Sequence, residues 1–79
     1  MARESAIRRK VRSKMIEVLC GAASKRMKLY KLQDRVAGAL PDEDSDTVRS
    51  LTDALARTET TVFEYKSESG FVKFLGECP

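Results

Sequence analysis

A chain of 79 residues with 15 Lys or Arg, 12 Asp or Glu and no histidine is one domain, near the size at which a single hydrophobic core just suffices. Without histidine no His-containing zinc site can form, and two cysteines cannot supply a four-thiolate one. No apolar run approaches the roughly 20 residues that cross a bilayer, so no metal, no cofactor and no membrane are expected. The net charge of +3 hides a division: residues 1–35 hold eleven Lys or Arg against three acids, and residues 36–79 hold four against nine. Such an asymmetry bears on partners, and the basic half is the natural place for a polyanion.

The spacing of Ile7, Val11, Met15, Val18 and Leu19 predicts an amphipathic first helix over 3–20. Glu4 sits near the positive end of its dipole and Gly21 at its far end. Arg8, Arg9, Arg12 and Lys14 fall largely off the apolar stripe, so RRKVRSK reads as a solvated basic face, a nuclear-import signal or a polyanion contact. Residues 22–26 form a polar connection, and Met27-Lys28-Leu29 alternates like a very short strand. Leu32, Val36 and Leu40 define a second helix from about Tyr30, ended where Pro41 pushes Leu40 out of the α region. Asp42-Glu43-Asp44 is an acidic loop before a third helix, with Ser45 as the expected N-cap and Asp46 at its start. An EF-hand beginning at Asp42 would need glycine sixth and glutamate twelfth, where Thr47 and Asp53 stand, so calcium fails. Val48, Leu51 and Leu55 give this helix an apolar edge, and Asp53 is placed to pair with Arg49 and Arg57.

Residues 60–76 read as a hairpin. Four of the five aromatics lie there, on two alternating arms around Ser67-Glu68-Ser69-Gly70, where Gly70 can take a positive φ. The expected core is Leu19, Leu32, Val36, Leu51, Leu55, Val62 and Phe74. Cys20 and Cys78 are expected as reduced thiols of an intracellular, nuclear protein, since no secretory h-region is present.

Helix, short strand, helix, helix and hairpin in that order resemble the winged-helix variant of the helix-turn-helix, an α+β fold of three helices with a C-terminal β-hairpin wing. The resemblance spans residues 3–75 within a single domain, 1–79, whose core is about 3–76. Val11, Ile16, Val18 and Leu19, the MKLYKL step and SLTDALARTETTVFEYKSESGFVKFL are also similar to the C-terminal winged-helix domains of eukaryotic minichromosome-maintenance helicase subunits. SLTDAL followed by a strand is similar to the LOTUS domain of germline RNA regulators, although the Gly-Phe step before that helix is absent. The winged-helix resemblance implies a third helix that enters the major groove while the wing touches the backbone. The charges contradict that implication, because residues 42–57 hold five acids against two arginines and a phosphate-lined groove would repel them.

Catalysis is not expected: no histidine base, no activated nucleophile and no Gly-rich phosphate loop is present. Two partner classes remain. In one, nucleic acid, DNA ahead of RNA, binds with little base readout through Arg8, Arg9, Arg12, Lys25, Arg26, Lys28 and Lys31. In the other, the domain docks on a protein of a replication, transcription or RNA-processing complex. The concentration of charge in the first half favours nucleic acid. A monomer is expected.

Overall fold

Four-residue spacing of Val11, Met15 and Leu19 winds the first segment into α1 (Ala6–Cys20), with those three side chains fully buried along one stripe. The computed structural model describes residues 5–79. The expectations for Arg3 and Glu4 lie outside those residues. Ser5 is the N-cap, its Oγ accepting from the Arg8 amide at 3.2 Å. Gly21 closes the helix with its amide 3.2 Å from the Val18 carbonyl, in right-handed conformation.

A short 3-10 turn (Ala23–Lys25) leads into β1 (Arg26–Lys28), and α2 (Leu29–Ala39) follows without a loop. Leu40 ends α2 at φ −123° and ψ 65°, the departure from α geometry that Pro41 imposes on the residue before it. Helix α3 (Ser45–Thr58) starts one residue earlier than expected. Asp44, not Ser45, is the N-cap, its carboxylate accepting from the Thr47 amide at 2.9 Å and the Thr47 hydroxyl at 2.8 Å. Those bonds hold the Asp44 carboxyl below its ordinary value, the hydroxyl contributing most. The capping contribution is therefore complete above the ordinary aspartate range and is lost as pH falls through the lowered value.

The hairpin forms as β2 (Phe63–Lys66) and β3 (Phe71–Phe74), joined by a turn in which Gly70 takes φ +76°. With β1 they make a three-stranded antiparallel sheet in the order β1-β3-β2. The chain is thus α+β, with three α-helices and one antiparallel sheet among the described residues. Leu19, Leu32, Val36, Leu55 and Phe74 are buried as expected, together with Val11, Met15, Val48, Phe63 and Val72. Val62 and Leu51 are only half-buried at the edge of that cluster. Val62 belongs to a turn in which the Val62 and Phe63 amides both reach the Glu59 carbonyl. The strand begins at Phe63, which pairs with Phe74 and shares its inner face. Thr52 is the buried polar side chain, satisfied by its hydroxyl donating to the Val48 carbonyl at 2.8 Å.

The thiols expected to be reduced are joined as a Cys20–Cys78 disulfide, with Cα atoms 5.7 Å apart. Cys20 ends α1, and the β1–β3 ladder brings the segment after β3 back to that end. Spacing in sequence could not show this closure. Gly76 allows it, because a Cβ there would lie 2.7 Å from the Phe74 ring. Disulfides persist in oxidising surroundings, so the argument from reduced thiols to an intracellular location falls. No helix among the described residues is long and apolar enough to cross a membrane.

Leu55→Ala should cost about 2–5 kcal/mol, and Leu51→Ala clearly less, in urea unfolding; equal losses would contradict the half-exposed position of Leu51. Alkylation without reductant should leave both cysteines unmodified. Reduction should lower stability by up to about 4 kcal/mol, the chain-entropy value for a link across a sequence separation of 58; an unchanged urea midpoint would mean that the closure constrains nothing.

Candidate nucleic-acid interface

Side chains directly opposite each other on antiparallel strands share a face, so register alone decides what the sheet presents outward. Arg26 pairs with Lys73 and Lys28 with Phe71 across the β1–β3 ladder. Glu64 pairs with Lys73 and Lys66 with Phe71 across β2–β3. Met27, Val72, Phe63 and Phe74 turn inward. The outer face thus carries Arg26, Lys28, Lys66 and Lys73 around Phe71, with Glu64 as its acid. Arg26 and Lys73 would repel across the ladder. Glu64 on the far side of Lys73 reduces that repulsion, and the Arg26 guanidinium lies 4.9 Å from the Phe71 ring centroid. Lys28 Nζ approaches the same ring at 5.6 Å, a cation–π arrangement that holds both charges over the face. Lys66 reaches Glu64 at 4.0 Å.

The surface continues onto α2. The Leu29 amide donates to the Gly70 carbonyl at 2.8 Å, tying the start of α2 to the hairpin turn. Tyr30 and Lys31 in the first turn of α2 are exposed, and Arg35, one turn beyond Lys31, is exposed too. Together with Arg26, Lys28 and Phe71 they line a depression of about 310 Å³. A second depression on the other side of Phe71 is lined by Arg26, Lys66, Lys73 and Glu64.

Among the residues singled out from sequence, the structure brings Arg26, Lys28 and Lys31 together. It directs Lys25, Arg12 and Arg8 elsewhere. Ser24 and Lys25 both take left-handed backbone, at φ 58° and 54°, and Lys25 Nζ donates to the Gly76 carbonyl at 2.7 Å while lying over the Phe74 ring, 5.7 Å from its centroid. Arg12 grips Glu59 through two bonds, Nε to Oε1 at 2.8 Å and Nη2 to Oε2 at 3.2 Å. Arg8 approaches the same carboxylate at 3.8 Å. Lys10 pairs with Glu43 at 2.8 Å, and that hydrogen bond and charge raise its pKa above the ordinary lysine value. Lys14 meets Glu17 at 3.0 Å. Arg9 stays exposed on α1. The α1 face expected to meet a polyanion is therefore largely matched by acids of its own chain.

On α3, Arg57 pairs with Asp53 as expected, at 2.8 Å. Arg49 instead reaches across to Asp34 on α2, and its carbonyl accepts from Gln33 Nε2 at 3.0 Å. Neither arginine projects alone. Sequence reasoning missed Arg35, Lys66, Lys73 and the stacking position of Phe71. The signal was present as period-two alternation in RMK and FVKF, which places Arg26, Lys28, Phe71 and Lys73 on one side once Met27 and Val72 are assigned to the core. Among the described residues, no group of three His, Cys, Asp or Glu is arranged to hold a metal ion.

No protein-family model, curated protein or solved structure matches this chain.

Glu59→Gln should destabilise the fold by roughly 1–3 kcal/mol, since it removes the charged partner of two half-buried arginine bonds. Urea unfolding at low and high salt measures it; a variant as stable as the parent would show that the α1–Glu59 contact is incidental.

Proposed function

We propose that this domain is a non-catalytic winged-helix module that binds nucleic-acid backbone, DNA in the first instance, with little readout of base identity. The order α1-β1-α2-α3-β2-β3 and the sheet order β1-β3-β2 support the winged-helix reading. The observation that carries the binding reading is the outer sheet face with the adjoining start of α2. Arg26, Lys28, Lys31, Arg35, Lys66 and Lys73 converge there with Glu64 as their acid. This is the connection after α1 that the sequence marked, extended onto the sheet and away from α1 itself.

Charge also argues for which surface stays off the phosphates. The outer side of α3 presents Asp46 and Asp53, and its arginines are matched by Asp34 and Asp53. Docking α3 in a major groove would place carboxylates against phosphates. The proposed binding face is instead a small, basic sheet surface with depressions beside Phe71, suited to following a backbone.

A protein-docking reading has its own support. Leu51 and Ala54 on α3 line a shallow apolar hollow with Asp46, Thr47 and Ser50, which suits an apolar, basic partner segment. It shares no lining residue with the depressions of the cationic face, so the two readings separate by mutagenesis.

If about four to six cations each neutralise a phosphate, log affinity for duplex DNA should fall with log salt at a slope of roughly −4 to −5. Lys28→Glu with Lys73→Glu should weaken binding and flatten that slope, whereas Arg9→Glu on α1 should change it little. Binding abolished by Arg9→Glu and untouched by the sheet variants would return the interface to α1. No binding at low salt would leave protein docking as the function.

A further inference from the structure

We propose that the strand bound by this face is single-stranded, with an unpaired base seated between Tyr30 and Phe71 and its neighbouring phosphates on Arg26, Lys28, Lys31 and Arg35. This rests on the backbone-binding reading above and adds which form of nucleic acid the site takes.

Two aromatics, Tyr30 and Phe71, lie outside the core. Phe71 lies on the central strand but points away from the helices, and the inward positions are filled by Met27, Val72, Phe63 and Phe74. Tyr30 is 59% exposed in the first turn of α2. Tyr30 is not needed for the core, and Phe71, although it packs beneath Arg26 and Lys28, lies outside the core as well. Both line one depression of about 310 Å³, and every charged residue lining it is a cation. Aromatic rings alone would suit many apolar ligands, and cations alone would suit any anion. Their combination suits a ligand with flat π faces strung on regularly spaced negative charges.

In a duplex the base faces are already stacked and paired, so the aromatics could gain nothing from them. An unpaired base offers its face, and each base–aromatic stack contributes whatever the base identity. The Arg26 guanidinium, already lying on Phe71 at 4.9 Å, adds a planar cation on which a base can also stack. Phosphates on either side of the seated base then fall toward the cations that line the same depression, Arg26, Lys28, Lys31 and Arg35. DNA and RNA share this chemistry.

The test is fluorescence anisotropy with the full oxidised chain at low salt, using oligo-dT, oligo-U, an abasic strand and a duplex, each of about 12 nucleotides. Oligo-dT or oligo-U should bind roughly five- to a hundredfold more tightly than the abasic strand. A margin confined to one of them identifies DNA or RNA as the source. Tyr30→Ala and Phe71→Leu should each remove much of that margin while leaving the salt slope unchanged. Tyr30→Trp should show fluorescence quenching by the single strand and none by the abasic one. Tyr30 is exposed, so its variants test the seat even if Phe71→Leu disturbs the sheet, which circular dichroism reports. Equal binding of abasic strand, duplex and single strand, with the Tyr30 variants silent, overturns the base seat and leaves backbone binding standing. Poly-glutamate binding as tightly as oligo-dT also overturns it. Absence of binding to every polyanion overturns both proposals.

Discussion

The pairing of Arg26–Lys28 with Phe71–Lys73 is the constraint on which the rest of the molecule depends. It joins residues 26–28 to residues 71–73 through one short ladder, and closing so long a loop carries an entropic cost that three residue pairs alone would not offset. Burial does that work. Met27 and Val72 lie opposite each other on the inner side, Val72 fully buried, and the helices behind them complete the core. Once the inner side is fixed, alternation fixes the outer side, so the cationic face is a by-product of the same register that seals the core. A one-residue slip of β3 would turn Phe71 and Lys73 inward and expose Val72 and Phe74.

Ion pairing inside the molecule redistributes a charge pattern that looks simple in sequence. The two halves are oppositely charged, yet the fold presses much of one against the other: Lys10 on Glu43, Arg12 and Arg8 on Glu59, Arg49 on Asp34. Glu59 shows why. It is the C-cap of α3, where the negative end of the helix dipole disfavours a carboxylate. The two-bond grip of Arg12 compensates from α1. Asp44 at the opposite end of α3 needs no such help, since a helix N-terminus favours its charge. On the sheet face and the start of α2 the cations outnumber the acid set among them, Glu64, which reaches Lys66 and lies opposite Lys73.

Element identity was legible because it is local. Helical spacing located α1, α2 and α3, Pro41 marked the end of α2, and Gly70 marked the hairpin turn. The errors of one position, Asp44 for Ser45 and Phe63 for Val62, arose where two neighbouring residues carry the same chemistry and tertiary packing chooses between them. Long-range features were not legible. The Cys20–Cys78 closure and the Arg12–Glu59 contact depend on which segments the ladder brings together, and a count of cysteines or charges carries no such information. The site lies between these cases. Arg26, Lys28 and Lys31 were identifiable as a basic run, while Lys66, Lys73 and Phe71 joined them only through register.

The left-handed pair Ser24–Lys25 shows how the site is held in place. Each such residue costs about 1–2 kcal/mol relative to ordinary backbone, so the segment would relax unless its surroundings fixed it. Lys25 is fixed by the Gly76 carbonyl and the Phe74 ring, and Gly76 is in turn held against that ring two residues before the disulfide. The tail therefore does more than close the chain. Lys25 immediately precedes β1, so the tail holds the turn from which Arg26 enters the strand. Lys25, expected at a phosphate, is held instead by the Gly76 carbonyl at the entry to β1, whereas Arg26 and Lys28 beyond it are carried on a strand whose register with β3 is set by the core.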